Sequence, residues 1–189
     1  MKLSFLFIVC IVSGSLYSQS QKTFFLEKKG QHSISAEYAA CSYSYAHRFK
    51  KNVTFGIRAQ MGLGLPLLLV SSPTYVDFGY GNGPEKITPS GSSYEVLKMQ
   101  LFYRYPMSKS FYFDIGPVAS LCLGGEAEWE QPYRVGMEVS VYYTKNRFKV
   151  GVRIDGSYDF GINQQHPGIT YETSYYALYL TPFVIGINF

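Results

Sequence analysis

The sequence predicts an all-β fold: an N-terminal signal peptide over residues 1–20, then one domain over residues 21–189 built as an eight-stranded antiparallel up-and-down transmembrane β-barrel. Three observations predict it. Apolar and polar residues alternate with period two over long stretches, the pattern of strands rather than helices. Short and long connections alternate along the chain, as in a meander that gathers its tight turns at one end. Aromatic residues make up 17% of the chain, with 18 Tyr and 14 Phe, against 16% charged residues. Beyond the leader no apolar run approaches the ~20 residues of a spanning helix, because Gly64 and Pro66 interrupt the longest, Leu63 to Val70.

The leader begins with Lys2 and an apolar stretch from Leu3 to Val12, followed by small and polar residues up to Gln21. Cleavage after Ser18 or Ser20 is expected. The apolar stretch is too short for an anchor, and Cys10 lies inside it behind Val9, which disfavours lipid attachment. Without Lys2 the chain has 16 basic and 13 acidic residues, a net charge of +3, too mild to imply nucleic acid. About 169 residues make one domain. Cys41 and Cys122 fall in strands that are not neighbours and read as thiols; two cysteines make no disulfide framework.

The strands follow in order. Residues 23–27 supply a short first strand, closed by a turn at 28–31. A second strand covers about 32–49, and its apolar phase switches near Cys41, which suggests a bulge. Then Val53, Phe55, Ile57, Ala59, Met61, Leu63 and Leu65 form one apolar row, and Leu97, Met99, Leu101, Tyr103 and Tyr105 the next. Phe111, Phe113, Ile115, Ala119, Leu121 and Leu123 continue the design, followed by Tyr133 to Tyr143 in odd positions and Phe148 to Phe160 in even ones. The last strand, 173–189, contains Pro182, where a bulge or an edge-like position is expected. Tight turns fall at 50–52, 107–110 and 145–147, and longer links at about 67–93, 125–131 and 162–171.

A soluble barrel with its apolar rows inward would show the same alternation. Three features favour a membrane. Tyr133 and Tyr143 stand ten residues apart, as do Phe148 and Tyr158. That is about 33 Å along a strand, or about 25 Å of height at a ~40° tilt, the apolar band of a membrane barrel with its aromatic edges. The polar rows mix glycines with charges of both signs, which suits a crowded interior better than a watery face. Finally, Phe183, Ile185, Ile187 and Phe189 alternate up to a terminal aromatic residue.

On that last motif the chain resembles the bacterial outer-membrane barrel families, whose final strand carries such a signal for the barrel-assembly machinery. The resemblance covers nearly the whole mature chain as a pattern rather than a unique motif. It looks like the small eight-stranded OmpX- and OmpW-type barrels and like the generic outer-membrane barrel domains common in gliding and gut Bacteroidota. It departs from the OmpA pattern, which adds a peptidoglycan-binding domain after the barrel. The resemblance implies the outer membrane of a Gram-negative cell envelope as location, with its lipid and the assembly machinery as partners.

By phase, Arg58, Lys98, Arg104, Asp114, Arg134, Glu138, Lys149, Arg153, Asp155 and Asp159 point inward. The interior of eight strands is just wide enough to be filled by side chains, so a polar core that holds the barrel shut is expected. An ion path lined by excess positive charge is the sharper alternative. The tight turn at 145–147 places Glu138 near Arg153 or Asp155 and Arg134 near Ser157 or Asp159, while Arg104 faces Tyr112 or Asp114. Pairing is expected because an enclosed lone charge is costly.

No catalytic constellation is evident. His32, His47 and His166 are scattered without metal-ligand spacing, Ser120 has no elbow motif, and Gly62-Leu63-Gly64 precedes no helix. No cofactor or metal is expected. The long link at 67–93 invites a binding role through Tyr75, Asp77, Phe78, Tyr80, Asn82 and Glu85, interleaved with glycines. The expected function is therefore a non-enzymatic barrel with a structural role or one of binding an extracellular or membrane protein through this loop. A narrow porin-like channel or carrier for a small or apolar solute is the alternative, and a lipid-modifying enzyme a weaker one.

Overall fold

The computed structural model describes residues 29–50, 53–76, 85–87, 94–123, 133–166 and 169–189. Its strands are β1 (Gly30–Glu37), β2 (Ala39–Lys50), β3 (Val53–Gly64), β4 (Leu67–Ser71), β5 (Thr74–Val76), β6 (Glu85–Ile87), β7 (Tyr94–Pro106), β8 (Phe111–Leu123), β9 (Tyr133–Lys145), β10 (Phe148–His166) and β11 (Ile169–Asn188). No helix occurs among the described residues. Eight strands run in the order β1-β2-β3-β7-β8-β9-β10-β11, and β1 pairs with β11 to close the barrel. Each neighbouring pair is antiparallel, from Ser33↔Asn188 at the closing seam to Arg104↔Asp114 on the far wall. The leader and the first strand expected at 23–27 lie outside the described residues.

The eighth strand comes from within the stretch expected to be one strand, so the expected boundaries need correcting. Residues 32–49 are not a bulged strand. They contain a hairpin, β1–β2, with Glu37 paired to Ala40 across Tyr38 and Ala39. In a two-residue hairpin the residues at either side of the turn pair and share a face, so the parity of the inward positions flips. Gln31, Ser33, Ser35 and Glu37 point inward before the turn, and Ala40, Ser42 and Ser44 after it. That flip is the phase switch visible near Cys41. Gly30 and Gln31, expected in a turn, are the first residues of β1 and pair with His47 and Ala46.

The link expected at 162–171 is also shorter than its sequence suggests. The β10–β11 ladder runs on through Ile162↔Glu172 and Gln164↔Thr170 to His166↔Ile169. Backbone pairing needs no apolar alternation, so a ribbon can continue where the two faces stop differing. Within 67–93, β4 pairs with β11, and β5 and β6 form a separate two-stranded ribbon. Near Pro182 the register moves from Gly151↔Val184 to Arg153↔Thr181, so β11 carries an extra residue there. This is a bulge at the expected proline.

Glycines make two kinds of room. Gly62 takes φ 123°, and a Cβ there would stand 2.6 Å from the Ala39 carbonyl oxygen. Gly56 and Gly151 instead leave space in the interior: a Cβ would come within 2.3 Å of the Phe102 ring and 2.4 Å of the Tyr142 ring. Small beside large is how a narrow barrel fills its centre.

Candidate functional site

The polar rows of the eight barrel strands converge in the lumen. The ten charged residues that the alternation aims inward are all buried there, none more than 3% exposed. All but Lys149 are joined in one ion-pair network, Arg134 and Asp159 through Glu95. Arg104 donates from Nε to Asp114 Oδ1 at 2.7 Å, and Arg58 reaches Asp114 at 2.8 Å and Glu138 at 2.9 Å. Lys98 Nζ lies 2.9 Å from Glu138 and 3.1 Å from Asp155. Arg134 pairs with Asp159 at 3.2 Å, as the hairpin register Asp159↔Arg134 dictates. Arg153 sits 3.9 Å from Glu138, and its Nε donates to the Tyr142 hydroxyl at 3.0 Å.

Aromatic rings fill the space between these groups. The Arg134 guanidinium lies 3.7 Å from the centre of the Tyr179 ring, and that of Arg104 lies 4.0 Å from Tyr112. A flat cation over a ring face is favourable when water is excluded. Lys149 differs from the other cations. It donates to Ser33 Oγ at 2.7 Å and faces the Tyr142 ring at 5.0 Å.

Two lumen acids escaped the sequence reading. Glu37 accepts from Arg153 at 2.6 Å, and Glu95 from Arg134 at 2.9 Å, with Lys98 3.3 Å away. Glu37 was hidden by the unseen turn at Tyr38. Glu95 was hidden by a register shift between Glu95 and Leu97, which puts Glu95 and Lys98 on one face at odd spacing. A signal existed: the ten inward charges comprise six cations and four carboxylates. With Glu37 and Glu95 the buried charges become six of each sign, and the described lumen is neutral. Among the described residues the cation excess of the ten is thus matched by carboxylates.

The outer wall is the reverse of the lumen. Ile57, Leu101, Ile115, Val139 and Ile154 are between 36% and 61% exposed, and the pairings Ile57↔Leu101, Ile115↔Val139 and Val139↔Ile154 set them side by side. Aromatic rings edge this band at both ends. At the tight-turn end, ring contacts link His47–Phe49 (4.8 Å), Phe55–Tyr103 (5.4 Å), Tyr105–Phe113 (5.3 Å) and Phe111–Tyr143 (5.0 Å). At the other end, Tyr133 meets Phe160 at 5.6 Å and Tyr158 meets Tyr176 at 5.0 Å. Phe183, Ile185, Ile187 and Phe189 all lie on this outer wall.

The remaining candidates separate. Tyr75 and Glu85 belong to the β5–β6 ribbon, through Tyr75↔Lys86 and Val76↔Glu85. Asp77, Phe78, Tyr80 and Asn82 lie outside the described residues. Ser120 is in the lumen and donates to Glu95 Oε1 at 3.1 Å, while His166 is the last residue of β10. His32 and His47 sit in the aromatic belt at the tight-turn end, His32 Nδ1 2.6 Å from the Tyr43 hydroxyl. Cys41 is exposed, Cys122 is buried, and they form no disulfide. Among the described residues no group of three His, Cys, Asp or Glu side chains is placed to hold a metal. Comparison with family models, with curated proteins and with solved structures returned no match.

Proposed function

We propose that the chain is an integral outer-membrane β-barrel of the OmpX/OmpW kind, non-enzymatic, with a packed polar lumen and a structural or loop-mediated binding role. One observation carries this reading: twelve charged side chains are enclosed while the Ile, Leu, Val and Phe rows face outward. A contiguous apolar surface of that extent is far beyond what a monomer dissolved in water exposes. Lipid tails are the surroundings in which it is stable, and a closed barrel leaves no unpaired strand edge within them. The outward row Phe183, Ile185, Ile187 and Phe189 supports recognition by the barrel-assembly machinery. The ribbon within 67–93 supports contact with an extracellular or membrane protein at the mouth.

Fractionation of cells expressing the full chain tests the location. The protein is expected in the outer-membrane fraction and to need detergent for release; recovery as a dissolved monomer would overturn the reading. Planar-bilayer recording tests the lumen. A neutral, side-chain-filled interior predicts a silent bilayer, and steady single-channel steps would overturn the packed lumen in favour of the porin-like alternative.

A further inference from the structure

The seam between β1 and β11 is not zipped over its whole length. Pairing from β1 ends at Ala36↔Ile185, and β4 takes up the same edge of β11 from Leu180↔Leu67 to Ala177↔Ser71. Between them, no described strand pairs with Thr181, Pro182, Phe183 and Val184 on that edge. The causes are local. β1 turns away at Tyr38, β11 bulges near Pro182, and proline has no N–H to offer a ladder.

A cavity of about 170 Å³ occupies this window in the wall. Leu67, Pro182 and Phe183 line its outer part, and Glu37, Gln60 and Gly64 its inner part. Glu37 and Gln60 are 4% and 2% exposed, and one Arg153 nitrogen donates to Oε1 of both, at 2.6 Å and 3.0 Å. Their other polar atoms, Glu37 Oε2 and Gln60 Nε2, are buried without a hydrogen-bond partner. Such atoms are costly to leave unmatched. Gly64 lets the Gln60 amide pack directly against the backbone, since a Cβ there would stand 2.5 Å from Gln60 Nε2 and displace it.

We infer that the window is a binding site for the neutral polar end of an apolar molecule, an alcohol or a primary amide. After a small rotation of the two side chains toward the cavity, such a group donates to Glu37 Oε2 and accepts from Gln60 Nε2, and its hydrocarbon part lies against Leu67 and Phe183. Arg153 already matches the Glu37 charge, so an ammonium gains little there. A carboxylate meets repulsion from Glu37 and from Glu95, which also lines the cavity. The volume suits a group of about benzene size, which a cavity of roughly 150 Å³ accommodates. The inference goes beyond the proposed function but rests on its membrane reading: failure to enter nanodiscs overturns that reading, and insertion without the expected shift overturns the inference alone.

The test uses the full chain, ¹⁵N-labelled and refolded in lipid nanodiscs, with 1-hexanol, hexanamide, hexane, hexanoate and hexylammonium as probes. The readout is the Gln60 side-chain amide signal, assigned by its loss in Gln60→Met. Hexanol and hexanamide are expected to shift it saturably, and about tenfold more tightly than the other three, the ratio for ~1.4 kcal/mol of added hydrogen bonding. Gly64→Val is expected to abolish the shift. Should valine prevent folding, Gly64→Ala places one carbon beside Gln60 Nε2 and is expected to weaken binding about tenfold. Equal binding of hexane or of either ion overturns the inference. So does the absence of a saturable shift with hexanol, or affinity unchanged when a Gly64 substitution displaces the Gln60 amide.

Discussion

Glu138 is the carboxylate on which the lumen network turns, because Arg58, Lys98 and Arg153 all lie within ion-pair distance of it and Ser140 donates to it at 2.7 Å. Replacing it with alanine leaves buried cations short of an acceptor, a change that costs about 3–5 kcal/mol. Glu138→Ala is therefore expected to lower the urea midpoint of the refolded barrel sharply, and an unchanged midpoint would contradict the network. Lys149 makes the opposite prediction. Its described partners are a serine hydroxyl and an aromatic ring rather than a carboxylate, so Lys149→Met is expected to leave stability unchanged or raise it by about 1 kcal/mol in the same measurement. At this scale the inward phase of Arg58, Arg134 and Asp159 was legible, because alternation alone decides which wall a residue faces. Their long-range partners were not. Arg58 meets Glu138 across the barrel, and no local register reports a contact between non-neighbouring strands.

Among the elements, the middle stretches of β3 and β7 to β10 were legible because each face there meets uniform surroundings, and the period of two fails only near strand ends, as between Glu95 and Leu97. The β1–β2 hairpin was not legible, because Glu37-Tyr38-Ala39-Ala40 contains none of the residues that normally mark a tight turn. Tyr38 adopts φ 45° and is 76% exposed, so its side chain contributes little packing to offset the left-handed backbone. Tyr38→Gly is expected to stabilise the barrel by about 1 kcal/mol, read as a higher unfolding midpoint. Tyr38→Pro, whose φ is held near −65°, is expected to disrupt the hairpin. A proline tolerated there would mean that β1 and β2 are joined some other way. The role of β4 was equally hidden. Its edge position on β11 follows from the shortness of β1, a property of the whole seam rather than of residues 67–71.

For the molecule as a whole, the balance between lumen and wall explains why the composition looks ordinary while its arrangement is inverted. Hydrophobic residues make up 47% of the chain, yet the large aliphatic side chains lie mostly on the outer wall, as Leu101 does at 61% exposure. If lipid covers that wall, Leu101→Arg costs about 2–4 kcal/mol in a bilayer. A water-facing site would register no more than about 0.5 kcal/mol. The most direct measurement places a tryptophan on each side of the wall, with Trp129 replaced by phenylalanine, and uses bilayers of lipids brominated along their tails. Val139→Trp, on the outer face, is expected to be strongly quenched by bromines near the bilayer centre, and Tyr142→Trp, in the lumen, to be quenched far less. Equal quenching of the two, or an unquenched tryptophan at 139, would contradict the account.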